Sequence, residues 1–177
     1  TANDLRSNET GGSLVVVGSY VPKTTNQLKV LLDQCDIQPV EIEVENLLDE
    51  KSAADVVTKT ALAIDKQINQ GKDAVLYTSR KLITGNSDDR NLAIGQKVSQ
   101  SLIAIVHAMN CTPRYIIAKG GITSSDMATK GLDIRWALVK GQIAPGVPVW
   151  QCGPESRFPG LNYVVFPGNV GQDKTLA

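Results

Sequence analysis

The sequence predicts an α/β fold: a mostly parallel sheet with helices on both faces and a mixed or antiparallel edge near the C-terminus. Three observations lead there. Short apolar runs such as Leu14-Val15-Val16-Val17 and Ala74-Val75-Leu76 are continuous rather than alternating, as strands buried on both faces are. Between them lie stretches with apolar residues at helical spacing, and strand–helix alternation builds a parallel sheet. The last third departs from this pattern, with two strand-like runs flanking a segment rich in Gly and Pro.

The elements follow in order. The first strand, 14–17, closes on Gly18-Ser19. Leu28, Leu31, Leu32 and Cys35 then recur at helical spacing, with Thr24 or Thr25 as the candidate N-cap. Residues 39–44 (Pro-Val-Glu-Ile-Glu-Val) alternate with period two, as a strand near an edge does. A second helix runs over about 52–70. Val57, Ala61, Ile64 and Ile68 share one of its faces, and Gly71 ends it. A strand at 73–78 and a loop at 85–89 come next. A third helix covers about 91–109, with Val98, Leu102, Ile105, Val106 and Met109 inward. The strand 114–118 runs into Lys119-Gly120-Gly121, and a short helix lies near 124–130. Residues 134–139 and 163–166 are the last two strands.

Composition bounds the function. The chain has 177 residues, of which 42% are hydrophobic and 20% charged, which is globular composition. Lys+Arg and Asp+Glu are both 18, so no basic surface for nucleic acid or anionic membrane is expected. Aromatic residues are 5%, too few for a base-stacking platform. No apolar run approaches the ~20 residues of a membrane span. Cys35, Cys111 and Cys152 are far apart and form no Cys-x-x-Cys, which suits free thiols in a reducing, cytoplasmic setting. The triplets at 8–10 and 110–112 fit the glycosylation pattern by chance. Residues 1–12 are polar and read as a linker, with 13–177 as one domain, and the chain is expected to be cut from something longer.

Ligands in open α/β sheets bind beyond the carboxyl ends of the strands. Three strand-end loops carry residues suited to this. The first is Gly18-Ser19-Tyr20-Val21-Pro22-Lys23-Thr24-Thr25, the second Lys119-Gly120-Gly121-Ile122-Thr123-Ser124-Ser125-Asp126, and the third Phe166-Pro167-Gly168-Asn169-Val170-Gly171. In the second, paired glycines allow close backbone approach, and a helix start favours an anion such as phosphate. Lys119 adds charge there, and Asp126 is placed either to orient a metal-bound phosphate or simply to favour the helix dipole. Ser19, Lys23, Gly168 and Asn169 are candidates of the same kind. Each loop alone is equally an ordinary turn with a Ser/Thr cap. Tyr77, Ser79 and Arg80, at another strand end, reach the same edge without an assigned chemistry.

Other chemistries are excluded by what is missing. No G-x-x-x-x-G-K-[ST], G-x-G-x-x-G or G-x-S-x-G occurs. His107 is the single histidine and lies in a helical stretch, where packing or surface is its ordinary role. Asp88-Asp89 reads as a solvated turn. No catalytic residue and no protein-held metal site is assigned.

The loop Lys119–Asp126, the stretch Ala144-Pro145-Gly146-Val147-Pro148-Val149-Trp150 and the loop Phe166–Gly171 together resemble the C-terminal nucleotide-binding domain of the four-carbon acid sugar kinases. The Gly18-Ser19 loop is similar to that family's first nucleotide-contacting loop, and the resemblance covers about residues 13–172. It implies a two-domain kinase that uses ATP and Mg2+ to phosphorylate threonate, erythronate or an oxo-tetronate, with the acid held mainly by an N-terminal domain. It also implies that Ser19, Gly120, Gly121, Ile122, Thr123 and Gly168 contact ATP. Beside these, Lys23, Lys119, Ser124, Asp126 and Asn169 are candidates for additional phosphate or metal contacts from their own place in the loops. The Gly18–Thr25 variant and the Phe166-Pro167 prefix look most like a branch fused to a class II aldolase domain. On this reading the isolated chain is inactive, and a homodimer is left open. The alternative is a non-catalytic module that binds a nucleotide or phosphorylated metabolite and regulates a fused enzyme.

Overall fold

The computed structural model describes Leu5, residues 11–80, Ile83 and residues 88–177. Its seven strands are β1 (Leu14–Val17), β2 (Gln38–Ile42), β3 (Ala74–Thr78), β4 (Tyr115–Lys119), β5 (Ala137–Ala144), β6 (Val147–Cys152) and β7 (Asn162–Phe166). They form one sheet in the order β2-β3-β1-β4-β7-β6-β5. The strands from β2 to β7 in that order pair in parallel, and β6 and β5 complete the sheet with antiparallel pairs. This is the fold class expected.

The side-chain period of two splits the core into two layers. Leu14 and Val16 face α3 (Glu50–Asn69) and α4 (Asp88–Ala108), packing with Ile64, Ile68, Leu102 and Ile105. Val15 and Val17 face the other way, onto Leu28 and Leu31 of α1 (Pro22–Gln34). Helices therefore cover both faces, which is why β1, β3 and β4 are apolar up to their last residues, Thr78 in β3 and Lys119 in β4. Asp65 on α3 staples the turn after α4, accepting hydrogen bonds from the amides of Asn110 and Cys111 and from the Cys111 thiol. Burial, reinforced by Asp65, pushes the Cys111 thiol up to about 12, and burial does the same for Cys152. Both are free but inert thiols.

Several boundaries differ from the sequence reading. Neither Thr24 nor Thr25 caps α1: Val21 precedes it without a side-chain cap and Pro22 opens it, its fixed φ suited to a first turn. The strand expected to reach residue 44 stops at Ile42, because Val44 starts a short helix, α2 (Val44–Leu48). Asp88 and Asp89 begin α4 rather than ending a loop, and residues 85–87 of that loop lie outside the described residues. The helix expected at 124 starts at Gly121 as α5 (Gly121–Asp126) and runs into a π-helical turn, Met127–Gly131. The strand expected at 134–139 begins at Ala137, since Ile134 is buried in the core just before it.

Gly12 shows how tightly the layers meet. Its N–H donates to Ile68 and its carbonyl accepts from Arg114, and a Cβ there would run into the backbone carbonyl of Lys72. Backbone cannot step aside as a flexible side chain does. Gly12→Ala is expected to cost about 3 kcal/mol by overpacking, read as a lowered midpoint of denaturant unfolding.

Candidate functional site

The site follows from the topology. β1 and β4 are adjacent and parallel, yet the helices after them leave to opposite faces. α1 packs with Val15 and Val17, while the π-turn after α5 packs with Leu102 and Tyr163 on the other layer. Such a switch point opens a crevice at the carboxyl ends of the strands, where α/β folds bind ligands. β7 lies next to β4, so all three glycine-bearing loops meet there.

The crevice is lined by backbone. A Cβ on Gly168 would lie 3.8 Å from the Ser19 Oγ, 3.8 Å from the Gly120 Cα and 3.9 Å from the Gly121 amide nitrogen. Gly120 has φ of +125°, a conformation L side chains rarely adopt, and a Cβ there would also come within 3.0 Å of Ser19. This turn lets its carbonyl accept the amide of Ser124, closing the first turn of α5, while its own N–H donates to Phe166. Helix starts leave amides without intrahelical partners, and the Gly121 amide is the one that lies beside Gly168. Ile122 and Tyr20 stand exposed at its mouth.

Two cations and α1 shape the loops from behind. Lys119 is fully buried, 4.1 Å from the Phe166 ring centroid, and its Nζ donates to the carbonyls of Pro167 (2.7 Å) and Gly168 (3.2 Å). Burial, with some repulsion from Lys23, lowers its amine to about 8. Arg80 donates from one guanidinium nitrogen to the carbonyl of Ser19 (2.8 Å) and from others to Thr78. On α1, Thr24 donates to the Gly168 carbonyl, Lys23 to Gly171, and Gln27 to both Val170 and Gln172. Carbonyls drawn back toward these donors leave positive character around the crevice, which suits an anion.

The structure therefore brings Ser19, Gly120, Gly121 and Gly168 to one crevice, with Ile122 exposed beside Gly121 and Asn169 exposed on the third loop. Thr123 is buried against Gly18 and Gly120, supporting the turn from inside. Lys23 is exposed, tied to the third loop. Three candidates are engaged elsewhere. The Ser124 hydroxyl donates to the Gly121 carbonyl within its own helix. Asp126 turns to Lys130 and to Ser99 of α4, and Lys130 chiefly holds its carboxyl below the usual range. Lys119 points into the protein, so it acts on the loop carbonyls rather than as a direct phosphate ligand. Arg80, Thr24 and Gln27 were not legible as loop anchors, because their partners lie 61 to 145 residues away. Among the described residues no group of three His, Cys, Asp or Glu is placed to hold a metal, and no helix is long and apolar enough to cross a membrane.

An α/β domain with a backbone-lined crevice at its switch point is, as a class, a phosphate- or nucleotide-binding domain. Comparison makes this particular: the chain belongs to the nucleotide-binding C-terminal domain family, whose model matches residues 14–176. Solved structures share the fold. A domain of unknown function (DUF1537) from Bordetella bronchiseptica, a domain-swapped dimer with bound citrate, superposes with a TM-score of 0.70 at 19% identity, over 94% of this chain and 39% of that one. A Salmonella typhimurium protein provisionally described as a tRNA synthase gives 0.68 at 18% identity, over 97% and 41%. A DUF1537 protein of Haemophilus influenzae gives 0.66 at 15%, over 96% and 39%. The chain thus spans about two fifths of the length of these proteins. No curated protein matches the sequence significantly.

Proposed function

We propose that this chain is the ATP-binding half of a kinase that phosphorylates a four-carbon sugar acid of the threonate, erythronate or oxo-tetronate type. The observation that carries the reading is the meeting of three glycine-bearing loops at the β1/β4 switch point, around the space beside Gly168. Ser19 and the first amides of α5 suit phosphate oxygens, and the anchored carbonyls leave that space electropositive. Phosphoryl transfer depends on positioning and charge stabilisation more than on protein covalent chemistry, so a crevice without a nucleophile–base pair is consistent with it. Mg2+ would be held chiefly by the phosphates, as is usual for that ion, which fits the lack of a carboxylate cluster among the described residues.

The acceptor acid and the group that takes its proton are assigned to a further domain. The loop variants Gly18–Thr25 and Phe166-Pro167 favour the branch in which that kinase is joined to a class II aldolase. A nucleic-acid substrate is disfavoured by the zero net charge and the low aromatic content. Calorimetric titration of the chain with MgATP, MgADP and MgGTP tests the reading. One saturable site with adenine preferred over guanine is expected, and no heat at millimolar nucleotide would sink it.

A further inference from the structure

We propose that β5 is the docking edge for a second copy of this chain, paired antiparallel with its own β5 about a two-fold axis at Leu138. The sheet ends on β2 at one side and β5 at the other. β2 carries Pro39 and Glu41, and a proline and a charge both discourage a further strand. β5 has no proline and one charge, Lys140. At its start Trp136, Leu138 and Val139 are 58%, 56% and 66% exposed, three large apolar side chains within one short stretch. An unpaired, apolar edge of this kind is a template for another strand.

The ladder shows which backbone groups β5 offers. The Cys152 amide donates to the Leu161 carbonyl and the Cys152 carbonyl accepts from Gly160, so the backbone of Cys152 faces away from β5. Ala137 stands opposite Cys152 and Val139 opposite Trp150. By the antiparallel alternation, the N–H and C=O of Ala137 and Val139 therefore point off the open edge. An axis at Leu138 sets Ala137 of each copy against Val139 of the other, so these outward groups satisfy one another. Leu138 then meets its own copy in the closer, non-hydrogen-bonded pair. Trp136 comes beside the partner's Lys140, an aromatic face for a cation, and the two lysines stay apart. Moving the axis to Val139 would instead set each Leu138 against a lysine. The register shift between Val139 and Gly141 ends the regular edge, which keeps the pairing short. With a net charge of zero, two copies meet without overall repulsion. The contact uses the same edge on both copies, so it closes at two and does not propagate.

Sedimentation velocity of the full chain at rising concentration is expected to show a monomer–dimer equilibrium. Leu138→Lys puts two cations at the axis and is expected to weaken the dimer at least tenfold. Thermal unfolding should not change, because the side chain is exposed. Oxidation reads the register. Leu138→Cys is expected to form a covalent dimer beyond any formed by the unmodified chain, since a directly opposed pair is within disulfide reach. Val139→Cys is expected not to, because its own copy lies on the diagonal, beyond the limit of about 7 Å between Cα atoms. A chain that stays monomeric up to millimolar concentration overturns the proposal. So does a dimer whose strength in a folded Leu138→Lys stays within twofold of the unmodified chain. Better cross-linking through Val139→Cys than through Leu138→Cys overturns the axis.

Discussion

Gly121→Asp is expected to leave the chain as stable as before and to weaken MgATP binding at least a hundredfold, about 2.7 kcal/mol. Position and charge both enter. A Cβ on Gly121 meets nothing within 4 Å, so the new side chain has room. As the first residue of α5, an aspartate even favours the helix dipole. Its carboxylate would nevertheless stand where phosphate oxygens are proposed to lie. Two like charges 4 Å apart repel by about 4 kcal/mol at an effective dielectric of 20, enough to outweigh any gain from the helix. Gly121→Ala supplies the contrast. It adds bulk without charge and should change affinity by no more than a few fold. Calorimetry on both, alongside thermal melts, separates repulsion from misfolding. Equal affinities for the two variants would remove the phosphates from this loop.

The contrast with Gly120 shows what the sequence could and could not convey. The Gly120-Gly121 pair is visible as a motif, but nothing local says that the first glycine is conformationally required and the second merely open. The strands on either side of the switch point were legible because they are buried on both faces and therefore apolar as far as Lys119 at the end of β4. The C-terminal hairpin was legible in part: the antiparallel edge and a strand at 134–139 were expected, but β6 was not. β6 contains Pro148, which ordinarily argues against a strand. It is tolerated because the pairing of β6 with β7 covers only Val149 to Gln151, so no ladder bond to β7 is lost at Pro148. β5 is an edge strand with register shifts around Gly141, which erase the alternation that would have carried the expected strand on to Ala144. The anchors of the site are tertiary: Arg80 reaches Ser19, and Thr24 and Gln27 reach the loop after β7.

Lys119 is the clearest case of a residue whose position was legible and whose role was not, and it carries the second large prediction. Its place at the end of β4 follows from the sequence, but the period of two turns its side chain to the face of Ile117 and Phe166, away from the open edge. There the amine is lowered to about 8 from a usual value near 10.5, mainly by burial. The folded value lies below the unfolded one, so the folded state resists carrying this proton. The resulting cost to stability is complete below pH 8 and is relieved as pH rises from about 8 past 10.5. Ligand binding runs the other way. Bound phosphates favour the charged amine, so MgATP raises its proton affinity, and binding near pH 8 should take up a fraction of a proton. Calorimetry at pH 8 in two buffers of different ionisation enthalpy reads that uptake directly. Affinity should fall about tenfold between pH 7 and pH 9 as the amine loses its charge. Lys119→Met keeps most of the length and the contact with Phe166 but leaves the Pro167 carbonyl without its donor and the Gly168 carbonyl with Thr24 alone. It is expected to lose at least tenfold in affinity at pH 7 and to abolish the proton uptake. Proton uptake that persists in a folded Lys119→Met would assign the titrating group elsewhere.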